Sequence, residues 1–249
     1  MLPIRDQNPT TLRPWVNYAL LLANIAVFLW QMKEGRSDNL VVASYGIVPH
    51  RLLADPSGEV LTIFSSMFMH GGLEHIGGNL LFLYIFGDNL EDSLGHARYL
   101  AFYVLSGLAA AAAQIAIDPS SHAPIVGASG AIAGVLGGYL ILFPRAPITV
   151  FFGFLFLEFP AWIVVGEFFL MNLFLGLGSL GPNSHGGVAF FSHIGGFVGG
   201  LLLLRPLLGA RERPSAERWN GWKPPPRRPP PRDLGSNFPR PRDPNDPWN

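Results

Sequence analysis

Long apolar runs separated by short polar segments recur along the chain, and six of them have the length and polarity of membrane-spanning candidates. The first is Trp15 to Met32, with Trp15 and Trp30 placed like interfacial anchors. The second, Val60 to Asn89, is interrupted by His70, Gly71, Gly72, Glu74 and His75, so its spanning part is expected from about His75 to Phe86. Alanine-rich Tyr99 to Ile117 is the third, Ser129 to Phe143 the fourth, and phenylalanine-rich Ile148 to Leu177 the fifth. Val188 to Leu204 is the sixth, with small-residue faces at Gly195/Gly199 and Gly196/Gly200. Between the first two, Lys33 to Glu59 reads as a surface connection with some helix lying in the interface around Leu40 to Val48. Glu91, Asp92, His96 and Arg98 mark one turn, and Pro144 to Pro147 another. The pattern predicts an all-α membrane protein: a polytopic six-helix bundle over 15–208, a short polar arm over 1–14, and a tail over 209–249.

Composition supports the membrane class. Of 249 residues, 49% are hydrophobic and 14% charged, against a usual charged share of about 25%; mean hydropathy is +0.30. Seventeen basic residues balance 17 acidic ones, so net charge says nothing about partners; the apolar runs imply the lipid bilayer as a partner, and no nucleic acid is expected. Cysteine is absent, which excludes disulfides, thiol catalysis and thiolate metal sites. No cleavable signal pattern precedes the first run, so the first helix is expected to direct insertion. Six spans put both termini on one side, together with Arg5, Arg13, Arg98, Arg145, Arg205 and Arg211; the other side holds only Lys33, Arg36 and Arg51. The positive-inside rule then makes both termini cytoplasmic, in a multi-pass protein of the cell membrane. The tail around Pro224 to Arg232 cannot bury a core and is expected in polyproline-like or disordered states near anionic lipid, with room for a short motif read by an unknown partner.

Candidate chemistry centres on Gly127-Ala128-Ser129-Gly130, which opens the fourth run. Flanking glycines admit a substrate backbone, and a helix N-terminus offers free N–H groups to a developing oxyanion. A helix-packing face would call for the same small residues. Ser129 to Phe143 is about 22 Å long as a helix, against about 30 Å of hydrocarbon, so Ser129 is expected inside the membrane slab. The loop before it must then be covered by protein or line a wet cavity. The fourth and sixth runs both head inward, which puts His193 at a similar depth. Gly130/Gly134/Gly138 and Gly195/Gly199 would let the two helices approach, so that His193 could act as base to the Ser129 hydroxyl. His75 and Asn79 share a helix face at i and i+4, and His70 stands just before them. Polar groups at membrane depth default to function, although a single one is as readily an interhelical hydrogen bond.

These residues resemble the rhomboid intramembrane serine proteases: Gly127-Ala128-Ser129-Gly130, the His70…His75…Asn79 series, Ser192-His193-Ile194-Gly195-Gly196, and the Glu91-Asp92 turn with Gly95 and Arg98. The resemblance covers about residues 15 to 208 and implies a six-helix bundle of the rhomboid type. It implies Ser129 as nucleophile, His193 as base, and the Ser129 N–H with His75 and Asn79 as oxyanion donors. It places Gly127 at the substrate-binding site and His70 near the mouth of the site. The fifth span and the loop Gly178 to Gly187 would form a gate and a cap. Substrates would be proteins with transmembrane helices, cut in or near the membrane, with no metal or organic cofactor. Many members carry a tryptophan–arginine pair in the first loop, whereas here no Trp lies between Lys33 and Glu59.

Other chemistries fit less well. The only lysines, Lys33 and Lys223, lie outside the spans, so a Ser–Lys dyad fails. A triad lacks an obvious carboxylate, since Glu167 is expected to pack within the bundle facing a partner such as Asn172. The hydrolase elbow fails at Ala131, and His70 to His75 has one residue too many for H-x-x-E-H. A transporter would call for internal repeats that are not seen. The non-enzymatic alternative is a rhomboid-like protein that binds transmembrane helices without cutting them.

Overall fold

The computed structural model describes residues 1–34, 40–180 and 189–208. Helix α1, Trp15–Glu34, turns a stripe of Asn17, Leu20, Asn24 and Phe28 toward the rest of the bundle. Its first-turn N–H groups have no acceptor within the helix, and the fully buried Glu91 supplies one: its carboxylate accepts from Val16 N at 2.9 Å and Asn17 N at 2.7 Å. Asp92 does the same for Leu12 N and the Thr11 hydroxyl just upstream. The connection that follows carries four short helices, α2 Leu40–Tyr45, α3 Pro49–Ala54, α4 Pro56–Glu59 and α5 Thr62–Ser65, and a 3₁₀ turn at Ser66–Phe68.

Helix α6 runs over Leu73–Leu94 and α7 over His96–Ile117. The expected turn at Glu91-Asp92 is therefore still helix, and the chain reverses only at Gly95, whose φ of +77° suits glycine. Helix α8, Ser129–Leu142, has every residue from Gly130 to Tyr139 buried, as suits a helix that is apolar all round and sits at the centre of a bundle. Helix α9 spans Ala161–Gly178 and α10 Phe190–Leu208. Among the described residues, four helices, α1, α7, α9 and α10, are long and apolar enough to cross a membrane; α8 is shorter, and α6 is more polar.

Two further expectations need correcting. The stretch from Ile148 is not the start of a span. Pro147–Phe152 and Leu155–Pro160 form strands β2 and β3, paired antiparallel, and β1, Leu2–Asp6, adds to β2, so the polar arm is structured and the fold is not purely α. The run Ile-Thr-Val-Phe-Phe is β-branched and aromatic and alternates, burying Ile148 and Val150 on one side. The Gly153-Phe154 connection, with φ positive only at Gly153, has the sign pattern of a type II′ hairpin turn. Pro160, extended at ψ 146°, ends β3 and starts α9.

The second correction concerns glycine faces. A methyl group at Gly196 would lie 1.9 Å from Gly130 O, and one at Gly200 would lie 2.1 Å from Gly134 O. Those two glycines, not Gly195 and Gly199, bring α10 onto α8. Gly195 and Gly199 face Ala113 and Ala109 of α7, and Gly138 faces Leu90 and Phe102. The tail from Gly209, and most of the Gly178–Gly187 loop expected to cap the site, lie outside the described residues.

Candidate active site

Ser129 is the first residue of α8. The backbone just before it is held by protein rather than left bare. Ile125 and Ile47 exchange N–H···O bonds of 2.7 and 3.1 Å, and Gly127 N donates to Ser66 O at 2.8 Å. At 1.5 Å per residue, α8 is about 21 Å long, shorter than a bilayer hydrocarbon core of about 30 Å.

The contact of α8 with α10 at Gly196 puts His193 beside the serine. His193 Nε2 lies 2.8 Å from Ser129 Oγ. On the other side of the ring, His193 Nδ1 lies 2.5 Å from Asn172 Oδ1 of α9. The start of α10 is fixed by α7, where Gln114 Oε1 accepts from Ser192 N at 3.1 Å. Ser129 and His193 line a cavity of about 760 Å³ together with His75, Asn79, Gly127 and Phe168. Gly127 has φ +125°, and a methyl there would sit 2.7 Å from His75 Nε2 and 3.3 Å from Ser129 Oγ. Glycine is thus required twice, by conformation and by room.

His75 and Asn79 reach this cavity from the first turns of α6. Asn79 Nδ2 is buried with no hydrogen-bond partner among the described residues. His75 Nδ1 takes the N–H of Gly71 at 3.3 Å, which leaves Nε2 toward Gly127. His70 does not join the lining. It is fully buried behind His75, with ring centroids 5.2 Å apart, and its Nδ1 is 3.1 Å from Phe68 O. Gln31 of α1 clamps its backbone, accepting from His70 N and donating to His70 O.

Glu167 and Asn172 do not meet as partners: Glu167 faces the amino group of Met1 at 3.2 Å, whereas Asn172 belongs to the histidine. Sequence reasoning missed Asn172 and Gln114. The available signal was an isolated amide in an otherwise apolar run. Among the described residues, no cluster of three or more His, Asp or Glu side chains is placed to hold a metal. The arrangement can pass the Ser129 proton to an imidazole, and it offers an unengaged amide N–H beside the serine.

A Rhomboid domain profile matches residues 57–210. "Rhomboid protein 1, mitochondrial" of Saccharomyces cerevisiae is 34% identical over 139 residues, which are 54% of this chain and 38% of that protein. "RHOMBOID-like protein 5" of Arabidopsis thaliana is 30% identical over 169 residues, 66% of this chain and 50% of that protein. "Rhomboid protease GluP" of Bacillus subtilis is 29% identical over 129 residues, 51% of this chain and 24% of that protein. The chain thus spans half or less of the length of these relatives.

Proposed function

The chain belongs to the rhomboid family, and from that premise we propose that it is an intramembrane serine endopeptidase that cuts membrane proteins in or near a transmembrane segment. One observation carries the reading: the 2.8 Å contact of His193 Nε2 with Ser129 Oγ, both lining one cavity. His193 takes the proton of Ser129 as Oγ attacks the substrate carbonyl. The oxyanion is held by the Ser129 N–H, His75 and Asn79. The leaving amine takes the proton back from His193, and water entering the cavity hydrolyses the acyl-enzyme.

Helices α1, α6, α7, α8, α9 and α10 cross the membrane, with both termini cytoplasmic, and the cell membrane is its location. A substrate helix must unwind to present its bond, so small or helix-weakening residues near the cut are favoured. Helix α9 borders the cavity through Phe168, meets α6 at the Phe82–Phe168 ring contact, and serves as the gate.

The test is cleavage of a single-span reporter in proteoliposomes by wild type, Ser129→Ala and His193→Ala, each with and without a metal chelator. Cleavage lost in both variants and indifferent to chelator is the expected result. Cleavage that survives Ser129→Ala, or that dies with chelator, overturns the mechanism. Folded wild type that neither cuts any reporter nor takes a serine-reactive phosphonate on Ser129 would instead be a helix-binding protein.

A further inference from the structure

A histidine base needs its proton on the correct nitrogen. To accept from Ser129 Oγ, His193 must leave Nε2 unprotonated and carry its hydrogen on Nδ1. The surroundings of Asn172 decide which form is held. Asn172 Nδ2 donates to Phe168 O at 2.8 Å, one turn back in α9. That carbonyl can only accept, so the amide nitrogen must face it and Oδ1 must face His193. An amide oxygen 2.5 Å from Nδ1 can only accept as well, so the hydrogen between them belongs to Nδ1. Nε2 is then free for the serine, 2.8 Å away. Asn172 is 9% exposed, so water does not compete freely for either bond. Phe168 from the same helix lies across the imidazole, with ring centroids 6.0 Å apart.

We propose that Asn172 is a positioning residue, which fixes the tautomer and pose of His193 and makes the seating of α9 on α10 a condition for a competent base. The inference rests on the reading of Ser129 and His193 as nucleophile and base. Asn172 touches neither substrate nor serine; it acts through the histidine. The helix that supplies it also borders the cavity, so a displacement of α9 that widens the opening also releases Nδ1. Gly176, one turn further along, lets α9 lie close to Phe190 and Ile194 of α10, which seats the amide. A substrate that pushes α9 aside disarms the base until the helix settles back.

The experiment compares wild type with Asn172→Leu, which is close in volume but cannot accept a hydrogen bond, and Asn172→Asp, which can. Kinetics of reporter cleavage in proteoliposomes are measured first. Asn172→Leu is expected to lower kcat roughly 10- to 1000-fold with KM little changed, as befits a base held in the wrong tautomer. Asn172→Asp is expected to recover most of that loss. A second readout is independent of turnover: ¹⁵N-histidine spectra report which ring nitrogen carries the proton, with the His193 signal assigned by its absence in His193→Asn. Wild type and Asn172→Asp are expected protonated at Nδ1. In Asn172→Leu nothing favours that form, and the proton moves to Nε2, where it can donate to Ser129 Oγ.

An unshifted tautomer in folded Asn172→Leu, or wild-type kcat in that variant, overturns the proposal. If wild type itself neither cuts nor takes a phosphonate on Ser129, the protease reading has failed, and the spectra still decide whether Asn172 sets the tautomer.

Discussion

Asn79 presents an unusual balance between stability and activity. Its Nδ2 is buried yet has no partner among the described residues, beside a serine that would generate an oxyanion in the same cavity. An unpaired buried donor costs the folded state free energy instead of contributing any. Asn79→Ala therefore removes no folded-state hydrogen bond from Nδ2. It should leave the melting temperature close to that of wild type while lowering kcat by about 10²- to 10³-fold, the usual effect of losing one oxyanion donor. Thermal melting beside reporter cleavage checks this, and a large drop in Tm with turnover preserved would make Asn79 a packing residue. Ser129, His193, His75, Asn79 and Gly127 could be picked from the sequence because each is a polar or backbone-permissive residue where an apolar run predicts neither. Asn172 was equally visible as a polar residue, but its partner was not. Pairing it with Glu167, which lies elsewhere on the same helix, fails because nothing local tells which neighbouring helix a side chain will meet. His70 shows the converse: the family resemblance implies a place near the mouth of the site, whereas Phe28, Phe68 and Gln31 enclose it behind His75.

At the scale of elements, the site exists because α8 and α10 touch backbone to backbone. A methyl at Gly196 would sit 1.9 Å from Gly130 O, a contact that no side-chain rotation relieves, so the helices must move apart. Gly196 is three residues from His193, and Gly130 is next to Ser129, so that movement directly lengthens the 2.8 Å contact. Gly196→Ala should thus both destabilise the bundle by about 1 to 3 kcal/mol, the usual range for overpacking, and abolish cleavage. Gly166 in α9 is the control: nothing lies within 4 Å of a methyl there, and Gly166→Ala should gain up to about 1 kcal/mol through helix propensity. Unfolding in detergent together with phosphonate labelling of Ser129 distinguishes the two; equal behaviour would mean that close approach is not what assembles the site. The small-residue spacing was legible in sequence, but the choice between faces was not. Gly195/Gly199 and Gly196/Gly200 repeat identically and differ only in which neighbour, α7 or α8, each one meets. The β-hairpin was hidden for a related reason. With only Thr149 and Glu158 as polar residues, Ile148 to Phe159 has too few to fix a period and reads as helix or strand alike. Gly153 and Pro160 were the available punctuation.

Across the whole molecule, the N-terminal strand ties distant parts of the bundle together. β1 pairs with β2, Gln7 Nε2 donates to Glu158 of β3 at 2.5 Å, and Asp6 reaches the helices. Asp6 Oδ2 accepts from Tyr139 OH of α8 at 2.9 Å and from Asn89 Nδ2 of α6 at 2.7 Å. The carboxyl is pushed up from 3.8 to about 7, first by burial and then by the neighbouring Asp88 carboxyl, against the downward pull of those hydrogen bonds. Between these values the folded chain keeps a proton on Asp6 that the unfolded chain has released. Stability therefore falls with rising pH across that window. The contribution is fully present below about pH 4, and it is lost as the pH climbs through about 7. Asp6→Asn keeps an oxygen acceptor for Tyr139 and Asn89 but cannot ionise, so it removes the part of the slope that Asp6 itself contributes. The melting temperatures of the two proteins, taken in detergent from pH 4 to 8, should run together at the acid end and separate as pH rises, with the variant the more stable. Parallel curves would show that Asp6 ionises freely and that the strand is held by its β-pairing alone. Divergence would mean that the attachment of β1 to α6 and α8 loosens near neutral pH. Because β2 and β3 lead directly into α9, the looser strand would relax the helix that carries Asn172, and phosphonate labelling of Ser129 should slow over the same pH interval in wild type more than in Asp6→Asn.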